Sequence, residues 1–528
     1  MATRSLVALA TLAACGGPGS GGGPVPPSPP RASVEDLTID AGEVTLTGVR
    51  FEPDAMVPPS MLLVHGSKKI TLDRQRAAWA KAKTDRRITA SKRALEAQLL
   101  ATMLFEAARA DTGKRAELLD EAGAVIAASH ALTKADTDET TLVMGAALAL
   151  GVDDEAGADG YLAQLISQFG ERPGGVMARA HLAYARLRTG DDAVATTLLA
   201  GAEPVPTQPE LAYVIAWARF RNADGPGAAT AITVAAQGWQ HEASRVAVER
   251  DLLIMHARSG APLTAAVAAI AQLTPDGARR HALLYQLSTA YAFAGHPDEA
   301  SAALDAAVQA LPSPPVELMP SIRLLQAEYA WRAGHVDQLA PAWRAAQAAL
   351  AACIRCGAAE RKALGDGIAE RAVEAHTTFA TSGDPRYQRA AADLYALFGA
   401  LPDVDQRADR AAIAQYAADF AKTPPPTDGA QYGDAIKAPL ALHRQEVLAC
   451  YEATLQGSST LSGAVTVTLE IDAAGAVAGV STDPAGGLEG LAAVATCVET
   501  RARTWQLPTR PRPGTARVTS RYVLGAKP

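Results

Sequence analysis

The chain has 528 residues, of which 48% are apolar and 20% charged; it is too apolar for a largely disordered polymer and long enough for two or three domains. Its formal net charge of -7 is spread along this length without a Lys/Arg run, which argues against nucleic acid as a partner. Aromatic residues make up only 5% while alanine is abundant, a balance that favours closely packed helices over a large β-structure.

Positions 1–14 carry one early cation, Arg4, and an apolar stretch from Leu6 to Leu12, with small residues before Cys15. A short charged start, an apolar core and small residues at a cut site mark an export signal. The string Leu12-Ala13-Ala14-Cys15 resembles the lipobox of bacterial lipoproteins. That resemblance implies removal of 1–14, lipid on Cys15 and, because Gly16 rather than Asp follows, an outer-membrane lipoprotein facing the periplasm. No other apolar run approaches the ~20 residues that a membrane-crossing helix needs, so lipid is expected to be the only membrane attachment.

Residues 15–33 read as a Gly/Pro-rich tether, flexible through its glycines and extended through its prolines. Residues 34–72 read as a short extended or β lead-in. Within it, Thr45-Leu46-Thr47 and Met61-Leu62-Leu63-Val64 look like short strands separated by Pro53, Pro58 and Pro59.

From 73 to 422 the pattern is helical, with apolar residues at three- and four-residue spacing in runs such as RALEAQLLATMLFEAARA. Gly113, Gly151, Gly190, Gly225, Gly260, Gly295 and Gly334 stand 38, 39, 35, 35, 35 and 39 residues apart, each between two helical stretches. Helices commonly end on a left-handed residue, which costs glycine least, so this period predicts stacked helical hairpins. Residues 281–314 form the fullest unit. Its Leu287, Ser288, Tyr291, Gly295, Ala300, Leu304, Ala307 and Pro312 are similar to the eight signature places of the tetratricopeptide repeat. Small Ser288 and Ala300 let two helices approach, while Leu287, Tyr291 and Leu304 fill the seam. The resemblance implies a TPR-like α-solenoid with an extended groove. Counting from the turns, Arg188, Arg219, Arg250 and Arg258 fall at positions that face such a groove, where they would suit a carboxylate-bearing peptide; solvated helix cations are the plainer reading. The Lys/Asn set with which some repeat proteins clamp a terminal carboxylate is absent.

With Cys15 set aside, four cysteines remain as two local pairs, Cys353 with Cys356 and Cys450 with Cys497, which in an exported chain read as two disulfides. The Cys353-Ile354-Arg355-Cys356 spacing also suits redox, zinc or haem chemistry. Gly357 follows instead of His, no second ligand pair lies nearby and no thioredoxin-like context surrounds it, so a disulfide stapling an inter-helix turn is expected.

A Pro-rich linker, 423–434, precedes a change of pattern. From 435 to 528 the order reads α-β-β-α-β: a helix over HRQEVLACYEATL, strands over GAVTVTLEID and 477–481 joined by Ala473-Ala474-Gly475, a helix ending before Pro508, and a last strand over ARVTSRYV. The residues Cys450-Tyr451, Leu455, Leu461, Gly463, VTVTLEID, Gly475, Val477, Val480, Leu488, Cys497-Val498 and Trp505-Gln506-Leu507-Pro508 resemble the AgmX/PglI-type C-terminal domain, a relative of the TonB C-terminal domain. In this setting a Cys450–Cys497 bond joining the two helices is predicted, and Trp505 reads as core. TonB proteins transduce energy through an N-terminal membrane helix, so with a lipid in its place this module is expected to recognise a partner, strand addition being one mode.

The sequence carries no Walker loop, no G-x-S-x-G and no H-E-x-x-H; His241-Glu242 lacks the second histidine, and the ten histidines are scattered. A mainly α fold, with a TPR-like solenoid followed by a small α+β domain, is thus expected to have no catalytic residues, cofactor or metal. The function expected is that of a lipid-anchored cell-envelope scaffold or adaptor binding proteins or peptides. An accessory subunit of an envelope transport or motility machine and a cell-wall enzyme are the alternatives.

Overall fold

The computed structural model describes residues 37–54, 70–132, 138–151, 155–240, 242–424, 431–458, 461–485, 489–510 and 514–526. Cys15, the signal and tether regions and the strand expected at Met61–Val64 lie outside them. The first described element is a strand, β1 (Leu37–Gly48). Eighteen helices follow. The first are α1 (Leu72–Thr84), α2 (Ala90–Ala110), α3 (Arg115–Leu132), α4 (Asp138–Gly151), α5 (Glu155–Phe169) and α6 (Pro173–Thr189). Next come α7 (Asp192–Leu198), α8 (Pro209–Arg221), α9 (Gly225–Gly238), α10 (Glu242–Arg258), α11 (Leu263–Leu273) and α12 (Gly277–Phe293). The last six are α13 (Pro297–Gln309), α14 (Met319–Arg332), α15 (Leu339–Ala352), α16 (Ala358–Ser382), α17 (Pro385–Gly399) and α18 (Arg410–Phe420).

Local chemistry sets where these helices begin. Asp224, Asp276 and Asp384 cap α9, α12 and α17 by accepting from first-turn backbone N–H groups, and proline sits in the first turn of α6, α8, α9, α13 and α17, where no donor is lost. Consecutive helices pack in pairs, among them α8 on α9, α12 on α13, α14 on α15 and α16 on α17, and α10 also meets α12. In the unit 281–314 the seam is as the sequence implies: Leu287, Ser288, Tyr291, Ala300, Leu304 and Ala307 are all buried. All of these but Ser288 belong to an apolar core running from Ala180 to Tyr329.

The glycines of this period are of two kinds. Gly190, Gly260, Gly295 and Gly334 have left-handed φ values between 69° and 82° and close helices as expected. Gly225 does not. It opens α9, and the left-handed place in that turn is taken by Ala223 at φ 59°. A Cβ on Gly225 would come within 2.4 Å of the Ser259 carbonyl oxygen, so glycine is needed there for close approach of backbones.

After α18 the chain forms α19 (Tyr432–Leu442), α20 (Arg444–Leu455), β2 (Gly463–Ile471), β3 (Val477–Ala485), α21 (Glu489–Ala502) and β4 (Ala516–Ala526). The expected order of helices and strands over 444–526 is present, but two features differ. First, helix α19 starts at Tyr432, inside the stretch 423–434 that reads as linker; Tyr432 is fully buried and its hydroxyl donates to the Pro508 carbonyl at 2.7 Å. Second, the sheet has four strands in the order β1-β4-β2-β3. β1 lies parallel to β4, Leu37 opposite Ala516 and Leu46 opposite Leu524, while β2 is antiparallel to both β4 and β3. Thr45–Thr47 is therefore part of a strand in the terminal sheet; Ile39, buried in the same core as Val467 and Trp505, fixes it there.

On β2, Val465, Val467, Leu469 and Ile471 face the helices and are buried, while Glu470 faces solvent and pairs with Arg517 of β4 at 2.9 Å. This alternation is the period-two pattern of a sheet with one covered face. α20 and α21 pack together and are joined by the Cys450–Cys497 disulfide, S–S 2.0 Å. The second disulfide, Cys353–Cys356, spans the turn between α15 and α16. Among the described residues no helix is long and apolar enough to cross a membrane.

Candidate functional site

The residues between β1 and the helices, 49–54 (Val-Arg-Phe-Glu-Pro-Asp), run extended across α6, α8 and α10, with α20 of the terminal module alongside. Main-chain groups of Val49, Phe51, Pro53 and Asp54 are read by side chains. Val49 N–H donates to Glu452 Oε1 at 3.0 Å, and Val49 C=O accepts from Gln456 Nε2 at 3.3 Å. Phe51 N–H donates to Gln456 Oε1 at 3.0 Å, and its C=O accepts from Arg221 at 2.6 Å. The Pro53 carbonyl accepts from Tyr184 and the Asp54 N–H donates to the Tyr213 hydroxyl, both at 3.2 Å.

Side chains of the segment are matched as well. Arg258 stacks its guanidinium over the Phe51 ring at 4.8 Å and pairs with Glu452 at 2.7 Å. Arg221, whose side chain has no exposed surface, takes Glu52 as its counter-charge at 2.9 Å and also donates to the Gln456 carbonyl. Arg50 reaches Asp192 on α7 at 3.1 Å. Asp54 meets Arg250 through two bonds, 2.7 and 3.0 Å, the two-pronged geometry a guanidinium offers a carboxylate.

Behind this layer sits Asp251, fully buried, accepting from Tyr213 at 2.7 Å, Trp217 at 3.2 Å and Arg250 at 2.6 and 2.9 Å. Its surroundings dictate how the outer layer behaves. Because the Tyr213 proton is spent on Asp251, the phenol oxygen faces the segment as an acceptor, which suits the Asp54 N–H. Because Asp251 holds the inner edge of Arg250, the outer edge of that guanidinium is fixed for a second carboxylate. Burial raises the Asp251 pKa to about 6, against the opposing pull of the Tyr213 hydrogen bond and of Arg250. Burial likewise lowers the Arg258 pKa, with Glu452 acting against it.

Of the four arginines singled out by sequence, Arg250 and Arg258 contact the segment, and Arg188 stacks over Tyr184 beside it. Arg219 is elsewhere, bonded to the Gly227 carbonyl and near Glu203 and Asp224 at the α8–α9 turn. Tyr184, Tyr213, Trp217, Arg221 and Asp251 escaped the sequence reading. One signal was available: the charged run Glu249-Arg250-Asp251 sits between the apolar runs 246–248 and 252–255 of α10, and a carboxylate buried there has to find donors.

The terminal module also touches the helices elsewhere, with α19 packed on α16. Asp384, which caps α17, also accepts from Thr509 N–H at 3.0 Å, and Arg386 donates to the Leu507 carbonyl at 3.1 Å. At the α12–α13 turn, Arg501 donates to the Ala294 carbonyl at 3.3 Å and meets His296 Nε2 at 3.3 Å, beside a cleft of about 480 Å³. Trp505 is core, 2% exposed, stacked on His443 at 4.4 Å and bonded to Glu446 at 3.0 Å. Among the described residues no group of three or more His, Cys, Asp or Glu is arranged to hold a metal ion. No family model matches the chain, and no curated protein matches it.

Proposed function

We propose that the protein is a lipid-anchored envelope scaffold or adaptor, held to the outer membrane through Cys15 and facing the periplasm, whose TPR-like array of helical hairpins and TonB-C-like terminal module bind other proteins or peptides. The observation that carries this reading is the occupied face of α6, α8 and α10. Phe51, Glu52, Pro53 and Asp54 meet it through main-chain carbonyls, one N–H and two carboxylates, held by side chains rather than by a backbone ladder. A surface that reads a peptide main chain and two acidic side chains is chemically a peptide-recognition surface.

Other features support the placement. The LAAC string at 12–15 fits lipid attachment, and two disulfides suit an oxidising compartment. Paired consecutive helices, left-handed glycines closing helices at 190, 260, 295 and 334, and the buried seam of the 281–314 unit fit stacked hairpins of tetratricopeptide type.

Two measurements test the reading. An alkynyl fatty acid fed to expressing cells should label the wild-type protein in the envelope fraction and leave Cys15→Ala unlabelled. Crosslinking in intact cells followed by capture should recover specific envelope proteins with the wild type. Label at another residue, or a protein recovered alone, would remove the proposal.

A further inference from the structure

Residues 49–54 cover a layer whose inner bonds do not involve them. Asp251, Tyr213, Trp217 and Arg250 are bonded to one another, so the acceptor oxygen and the guanidinium edge that meet Asp54 are positioned by α8 and α10 alone. The face also cannot stand empty at no cost. Arg221 has no exposed side-chain surface, and without Glu52 it keeps the Gln456 carbonyl and the face of the Trp217 ring but no carboxylate, leaving a buried cation without a counter-charge. Whatever covers it has to bring a carboxylate at that place and a second one at Arg250. Apolar anchoring is modest: Phe51 packs at the edge of the large core and Arg258 covers its ring.

We propose that the face of α6, α8 and α10 is a receptor for extended protein segments of the pattern aromatic–acid–Pro–Asp, that Phe51-Glu52-Pro53-Asp54 is its resident occupant, and that a partner protein carrying such a segment exchanges with it. This rests on the peptide-binding reading above and names its ligand class. The main chain is recognised by Tyr184, Tyr213 and Arg221, with Gln456 of α20 taking the Phe51 N–H. Selectivity comes from Arg258 on the aromatic ring and from Arg221 and Arg250 on the acids. An Asn in place of the final Asp would offer Arg250 one acceptor where the two-pronged pair uses two, and no charge, so it should bind more weakly.

The test uses the whole mature chain and a fluorescent, terminally blocked peptide of the sequence Gly-Val-Arg-Phe-Glu-Pro-Asp-Ala, followed by anisotropy. A resident occupant lowers apparent affinity by the fraction of time the face is free. Weakening it with Phe51→Ala plus Asp54→Asn should therefore tighten probe binding at least tenfold. Adding Arg250→Gln to that variant, or changing the probe's Asp to Asn, should reverse the gain. A folded double variant that shows no saturable binding, or whose binding ignores Arg250→Gln, overturns the proposal. If the double variant does not fold, hydrogen exchange of the wild type decides: excess probe should speed exchange at the Phe51 and Asp54 amides and leave that of Val467 in β2 unchanged. No change at those two amides means that the segment is a fixed part of the fold. That result, with partner capture from envelopes intact, would leave the scaffold reading standing; loss of capture with peptide exchange intact would do the reverse.

Discussion

Arg250 and Asp251 are adjacent on one helix, yet the carboxylate is wholly buried while the guanidinium, about half exposed, curls back to it at 2.6 Å and reaches Asp54 at 2.7 Å. Neighbours on a helix do not normally face each other. Here the long arginine stem bridges a buried anion and one on the surface, and Tyr213 and Trp217 complete the coordination of the buried one. Tyr213→Phe keeps the ring and removes the hydroxyl, leaving Asp251 short of a donor and the Asp54 N–H short of an acceptor. A cost of about 1–3 kcal/mol is expected, read from urea unfolding, because buried groups lose partners without gaining water. An unchanged midpoint would show that the hydroxyl network contributes nothing.

The same carboxylate gives a pH dependence with a definite sign. Its folded pKa, about 6, lies above that of an ordinary aspartate, so the folded state holds a proton that the unfolded chain has lost. Asp251's contribution to stability is therefore complete below about pH 4 and declines as pH rises through 6. Buried neutral histidines act oppositely. His181 and His256 are each pushed by burial down to about 4, so they favour the folded state above about pH 6.5 and lose that advantage as pH falls toward 4. On acidification from 6.5 to 4 these two histidines cost stability and this aspartate adds it. Relative to the wild type, His256→Gln should lose less stability over that interval and Asp251→Asn should lose more, both measured as unfolding free energy against pH.

The terminal module is fastened to the helices by Arg258 and Glu452, whose side chains are 9% and 6% exposed and lie 2.7 Å apart. Glu452→Gln leaves a desolvated guanidinium without its counter-charge. Losing one partner of a buried pair costs about 3–5 kcal/mol, whereas replacing both with apolar residues costs far less. A double-mutant cycle with Arg258→Met should therefore show the double variant more stable than Glu452→Gln alone. Simple additivity of the two losses would mean that the pair is not coupled.

Much of this architecture is written in local pattern. The helical period, the seam Leu287–Tyr291–Leu304, strands β2 to β4 and both cysteine pairs are each specified within a few tens of residues, where spacing alone reveals which groups meet. β1 and the segment after it were not legible in that way. Val49 and Glu452 are 403 residues apart, and a parallel pairing of β1 with β4 leaves no turn signature between them. The arginines show the same divide. Arg219 has nearby acids, Glu203 and Asp224, and turns to them, while Arg221, two residues on, is drawn into the interface by partners at Glu52 and Gln456. Helical position narrows the direction of a side chain, but distant partners decide it.

The Cys450–Cys497 bond closes a separation of 47 residues between α20 and α21. In the chain-entropy account a loop of that length restricts the unfolded state by about 4 kcal/mol. Cys450→Ala with Cys497→Ala should therefore lower the stability of the module by that order, with the Trp505 fluorescence environment as a reporter of unfolding. The Cys353–Cys356 bond closes only three residues, and its removal should leave that reporter unchanged.

Gly295 and Gly201 separate the conformational role of glycine from its steric one. Both are left-handed, at φ 75° and 73°. A Cβ on Gly201 meets nothing within 4 Å, so Gly201→Ala should cost only the conformational penalty, about 1–2 kcal/mol. A Cβ on Gly295 would lie 2.9 Å from Glu446 Cα and 3.1 Å from Arg501, both in the terminal module. That contact cannot relax through a flexible side chain, because a backbone atom stands in the way. Gly295→Ala should then cost a further ~1–3 kcal/mol, the range for overpacking. It should also loosen the module from the α12–α13 turn, seen as faster amide exchange over 443–446 and at 501. Equal losses for the two substitutions would show that α20 and α21 do not dock on this turn in solution.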